Sequence, residues 1–179
     1  MFRRNRSQRG RLEEAFFARL FEANRLLAEG QPAQAAPLFA QLAQALEANN
    51  HPRRAANVHA RATHAFADAT ALAGYESAAL DHARRALQLF QKHAMSQRFA
   101  QFYGNINRHF QSSGMASASG ALQSEFGLPM EPAPAPSHAT AQLPGSCPKC
   151  GAPVHSDEVD WIDPRSAECP YCGTVLLAG

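Results

Sequence analysis

Two short stretches constrain this sequence more than any others: CPKCG at 147–151 and CPYCG at 169–173. They hold all four cysteines of a 179-residue chain, with eighteen residues between the pairs. A segment of some thirty residues buries too little apolar surface to fold on packing alone. Two Cys-x-x-Cys pairs point instead to a bound metal. Four thiolates around one ion give a closed tetrahedral shell, which zinc favours and which resists redox chemistry. Pro148 and Pro170 stiffen the two loops, and Gly151 and Gly173 sit where the backbone must turn. Metal binding contributes on the order of 10 kcal/mol to such modules, so the ion takes the place of the missing core.

The segment resembles a zinc ribbon with rubredoxin-like knuckles over about residues 145–177. The resemblance implies that Cys147, Cys150, Cys169 and Cys172 hold one structural zinc. It also implies short strands near 159–162, 165–168 and 174–177, with DPRS at 163–166 as a turn. No further ligand or open coordination position stands out, so a catalytic metal is not expected. A thioredoxin-like redox pair would need one Cys-x-x-Cys within a β-α-β pattern, which is absent. A full RING finger needs eight ligands, and His155 is the only further candidate. A one-zinc, RING-like variant stays open, because Val154, Trp161, Ile162 and Pro170 offer an apolar patch.

Everything before the knuckles reads as helix. Apolar residues recur at helical spacing from Leu12 to Leu27, Leu38 to Leu46, Val58 to Phe66, Leu80 to Phe90 and Phe99 to Phe110. A short sixth helix falls at 116–126, with Leu122 and Phe126. Breaks fall at Gly30-Gln31-Pro32, Asn49 to Pro52, Ala73-Gly74 and Ser112 to Gly114. A content of 45 % hydrophobic and 18 % charged residues suits a folded body. Sliding the chain by 44 residues aligns Gly30 with Gly74, Ala35 with Ala79, Leu42 with Ala86, Arg54 with Arg98 and Phe66 with Phe110. The run Gly74, Ala79, Ala83, Ala86, Leu87 resembles the second helix of a tetratricopeptide repeat, and Gly30, Ala35, Phe39, Leu42, Ala43 is its first copy. The family's period is 34, and its first-helix Trp-Leu-Gly signature is missing here. The resemblance covers about residues 12–113 and implies antiparallel helix pairs stacked around a continuous core. An ordinary antiparallel bundle without a ligand groove is the competing reading. The expected fold is therefore mainly α, a TPR-like body followed by a small β module.

Four segments follow: a basic flexible arm at 1–11, a helical domain at 12–126, a Pro/Ala linker at 127–145 and the ribbon at 146–179. A proline-rich spacer holds its load away from the body, so the ribbon is expected to be a presented element that need not touch the helices. Charge divides with the segments: residues 1–146 carry fifteen Lys/Arg against ten Asp/Glu, and 147–179 carry two against five. An acidic ribbon is a poor phosphate binder, which leaves nucleic acid to the arginines at 3, 4, 6, 9 and 11. No apolar run reaches the roughly 20 residues of a membrane span, no secretory signal opens the chain, and metal-type cysteines suit a reducing, cytoplasmic setting. No phosphate loop, nucleophile motif or catalytic carboxylate pair is found, so no catalytic residue is assigned. The expected function is a non-enzymatic adaptor with a protein partner. Its candidate contacts are Val154, Trp161 and Ile162, with Asp157, Glu158 and Asp160 steering a basic surface. Trp161 reads equally as an anchor or as the ribbon's own core, and the acidic run as a docking face or a solvated loop. The alternatives are a transcription-associated, nucleic-acid-binding ribbon and a RING-like component of a ubiquitin-like ligase system.

Overall fold

The computed structural model describes residues 3–70, 72, 74–127, 142–156 and 158–179, with side chains from residue 13 onward. Six helices come first: α1 (Arg3–Ala28), α2 (Pro32–Ala48), α3 (Pro52–Asp68), α4 (Tyr75–Lys92), α5 (Ser96–Ser112) and α6 (Ala116–Phe126). Three strands follow: β1 (Asp160–Asp163), β2 (Ser166–Glu168) and β3 (Val175–Leu177). The backbone of α1 reaches back to Arg3, into the segment expected to be an arm. Most of the Pro/Ala linker, 128–141, lies outside the described residues, as does Asp157.

The helices end in a repeated way. Gln31 N donates to Leu26 O, His51 N to Leu46 O, Met95 N to Phe90 O and Met115 N to Phe110 O, all at 2.7–2.9 Å. Each bond spans five residues and follows a residue with positive φ: Gly30, Asn50, Ala94 and Gly114. This is the Schellman closure, which satisfies a terminal carbonyl and turns the chain back. The next helix begins at once, twice on a proline at its first turn. Pro37 lies inside α2 and has no N–H to give to Ala33 O. The Tyr75 hydroxyl donates to that carbonyl at 3.3 Å, and the Tyr75 ring packs edge-on to Phe66 at 4.9 Å. A proline in one hairpin thus ties it to the next.

Short connections make sequence neighbours pack: α1 on α2, α2 on α3, and so on to α6. Second neighbours also touch, α3 beside α5 and α4 beside α6. The 44-residue offset holds in the elements, since α3 and α5 differ by 44 at both ends. Ala35, Ala43, Ala55, Ala62, Ala79, Ala83 and Ala86 are fully buried. Their small side chains let helices approach while Phe39, Leu87, Phe90, Ile106 and Phe110 fill the space between.

The sheet is antiparallel in the order β1-β2-β3, with Trp161 opposite Ala167 and Ala167 opposite Leu176. These three side chains share its inner face. The inner face does not stand alone: the buried residues of ribbon and helices form one continuous core. The expectation of a ribbon held clear of the body is corrected here. Three side-chain hydrogen bonds run from helices to knuckle carbonyls, and a proline-rich spacer in the chain does not prevent docking.

Candidate metal centre

Each knuckle is built by the same two backbone bonds. Gly151 N donates to Cys147 O and Gly173 N to Cys169 O, at 2.8 and 2.9 Å. Cys147 N donates to Ala152 O and Cys169 N to Thr174 O, at the same two distances. Both glycines have φ near the left-handed region, +70° and +76°. A side chain there is strained and crowded. A Cβ on Gly151 would lie 3.3 Å from the Phe21 ring, and one on Gly173 would lie 3.2 Å from the Glu168 carboxylate.

The two turns face each other and bring four sulfurs together. Cys147 Sγ lies 3.6 Å from Cys172 Sγ, and Cys150 Sγ lies 3.8 Å from Cys169 Sγ. All four sulfurs lie within 4.8 Å of one another, and all four residues are buried. A tetrahedron with zinc–sulfur arms of ~2.3 Å has edges of about 3.8 Å, whereas a disulfide needs ~2.05 Å. The spacing fits four ligands around one ion and no S–S bond. Proton sharing tells the same story. Hydrogen bonds from Cys150 and Cys169 hold the Cys172 thiol far below its ordinary range, whereas contacts with Cys169 and Cys172, together with burial, push Cys150 far up. One thiolate forms easily, and Cys150 and Cys169 resist ionisation in a buried site without a cation to balance them. A single divalent ion supplies that balance.

The helices grip this centre with two buried asparagines. Asn24 Nδ2 donates to Leu20 O within α1 at 2.9 Å and to Cys150 O at 3.0 Å. Asn57 Nδ2 donates to Arg53 O within α3 and to Pro170 O, both at 3.1 Å. Each side-chain oxygen is also used. Arg61 Nη2 donates to Asn24 Oδ1 at 2.9 Å, and Arg98 Nη2 to Asn57 Oδ1 at 2.6 Å. One carbonyl of each knuckle therefore enters a buried hydrogen-bond network. Arg54 Nε donates to Tyr171 O at 3.2 Å. Lys149 Nζ lies 3.7 Å from the centre of the Phe17 ring, a cation–π contact. Arg98 Nη1 pairs with Glu158 at 3.3 Å. All these gripping residues lie on α1, α3 or α5, so the ribbon sits on the face made by the odd-numbered helices.

Of the candidate partner contacts, Val154 is buried and Glu158 is paired with Arg98. Both belong to the internal seam. Trp161 is half-buried against the core, and its Nε1 donates to Ser156 O at 3.0 Å. Ile162 and Asp160 are exposed, and Asp157 lies outside the described residues. Val175 and Leu177, on β3, are exposed as well. Sequence reasoning missed these two, although the apolar run VLL after the second knuckle marks a strand with two residues on one face. It also missed Asn24, Asn57 and Arg61, whose only signal is a polar residue on a helix.

Compared with known proteins, the chain matches no family model, no curated protein and no solved structure. Among the described residues no helix is long and apolar enough to cross a membrane.

Proposed function

We propose that this protein is a non-enzymatic, zinc-binding adaptor in which a TPR-like helical body carries a zinc ribbon that contacts a protein partner. Zinc is the metal of choice for a closed, buried set of four thiolates, and the closed shell gives it a structural role. A reducing compartment such as the cytoplasm keeps these thiols available. The observation that carries the reading is the outward face of the small sheet. Ile162, Val175 and Leu177 are 58, 53 and 72 % exposed, three of the five exposed large apolar side chains among the described residues. Asp160 and Glu168 lie opposite each other on β1 and β2, in the same row of the sheet as Val175. An apolar patch with an acidic rim suits a partner that presents apolar and basic side chains. The alternative nucleic-acid reading rests on the arginines at 3, 4, 6, 9 and 11, whose side chains lie outside the described residues.

Elemental analysis tests the metal: one zinc per chain is expected, and two ions or iron would overturn the assignment. Affinity capture from the native cell tests the patch. Leu177→Asp should retain one zinc and lose the protein that the unaltered chain recovers. Undiminished recovery with intact zinc would remove the sheet face as the contact.

A further inference from the structure

The seam between ribbon and helices encloses a cavity of about 120 Å³ that the metal centre does not use. Arg61 of α3, Arg98, Gln101 and Asn105 of α5, and Glu158 and Tyr171 of the ribbon line it. Its size exceeds what one water needs and falls well short of the roughly 300–1,000 Å³ of pockets for drug-sized ligands. Its lining is rich in donors: two guanidiniums, two carboxamides and a phenol.

Three arginines reach into the seam, and they differ in one respect. Arg98 pairs with Glu158 at 3.3 Å. Arg54 Nε donates to the Tyr171 carbonyl at 3.2 Å. Arg61 has only neutral company: Asn24 Oδ1 at 2.9 Å, and the rings of Phe39 and Tyr171 at 5.6 and 5.9 Å. Among the described residues no carboxylate pairs with it. Its Nε is buried and has no acceptor. A half-buried guanidinium set beside two rings, with a buried and unused Nε–H, has room for an anionic partner. Glu158 does not fill that role, because Arg98 already balances it.

We propose that this cavity binds a phosphate-sized oxyanion, with Arg61 as its principal charge partner and Arg98, Gln101 and Asn105 as supporting donors. Arginine suits this task, since its fixed fork of N–H groups matches oxyanion geometry. The neighbouring His64 is held neutral, its pKa pushed down to about 4 by burial, by His109 and by Arg61. It therefore adds a polar ring to the lining and no positive charge. The ligand would span α3, α5 and the ribbon, and so strengthen the seam.

The test uses the zinc-loaded full chain and inorganic phosphate. Titration is followed through the arginine Nε–H resonances, with sodium chloride at matched ionic strength as the control. A saturable shift of the Arg61 signal is expected with phosphate and not with chloride. Arg61→Gln should weaken phosphate binding about tenfold or more. Because that change also removes a bond to Asn24, Asn105→Asp supplies a second variant. It places a negative charge in the cavity wall without touching the asparagine network, and should abolish binding with zinc content unchanged. A glycerol 3-phosphate arm separates two sources of the oxyanion: tighter binding than phosphate assigns it to the end of a larger molecule, weaker binding to the free ion. Equal responses to phosphate and chloride, or binding that survives both substitutions, would overturn the site.

Discussion

Replacing Cys169 with serine removes one of four ligands and should release the metal. The ribbon then unfolds, since metal binding supplies on the order of 10 kcal/mol to a module of this size. The consequence for the helices follows from the seam. Asn24, Asn57 and Arg54 lose their bonds to Cys150, Pro170 and Tyr171 carbonyls. At about 0.5–1.5 kcal/mol each, three such bonds contribute roughly 3 kcal/mol. Tyr171 is only 5 % exposed, and losing its burial against the helices costs about 1.5–3 kcal/mol more. The half-buried pair of Arg98 and Glu158 at the seam is lost as well. The helical body should therefore lose about 5 kcal/mol, which for a chain of this length lowers the melting temperature by on the order of 10–20 °C. The assay is a thermal melt followed by circular dichroism at the helix band, on the zinc-loaded protein, the C169S variant and the chelator-treated protein. The zinc-loaded chain should melt in one transition, and the two metal-free samples should melt early and together. Asn57→Ala separates docking from metal: it should lower the melting temperature by a smaller amount with zinc retained. Helices that melt at the same temperature with and without metal would refute the coupling and restore two independent modules.

Other outcomes can be read from single positions. Ala94 occupies the left-handed region at φ +55°, where Gly30 and Gly114 do the same task without strain; Ala94→Gly should stabilise the protein by about 0.5–1 kcal/mol in urea denaturation, and a loss of stability would show that the strain is absent. His64 and His82 both have pKa values pushed down to about 4, by burial first and then by His109 and His59 respectively. They are neutral when folded and take up protons near pH 6.5 when unfolded, so their contribution is full above that pH and fades between about 6.5 and 4. Stability in urea should fall by about 2 kcal/mol from pH 7 to pH 5, after allowance for partial exposure. His82→Asn should flatten that slope, and an equal slope in the variant would assign the effect elsewhere.

Much of the architecture was legible because its signals are local. Helix ends are written as Gly30-Gln31-Pro32 and Asn50-His51-Pro52, and the closure bonds form there. The cysteine spacing points to a four-sulfur cluster, and the four sulfurs lie together. The expected strands fell within a residue of β1, β2 and β3. The third helix stops at Asp68, where Ala69 N turns back to Phe66 O, short of the break expected at Ala73-Gly74. No apolar position distinguishes those last residues from the turn. The seam was not legible at all. Asn24, Asn57 and Arg61 are polar residues on helices, and helical periodicity reads a polar face as solvent.

The repeat itself explains what that polar face is for. Arg54, Asn57 and Arg61 lie on one side of α3 at spacings of three and four. Adding 44 gives Arg98, Gln101 and Asn105, which line the cavity on α5. The same three positions of two consecutive hairpins thus face the ribbon, the first set holding its knuckle and the second enclosing the space beside it. A stacked hairpin repeats whatever its odd helices present, so a single docking pattern serves twice. Charge follows the same logic. The ribbon carries a surplus of carboxylate, and Glu158 meets Arg98 of α5 within the seam at 3.3 Å.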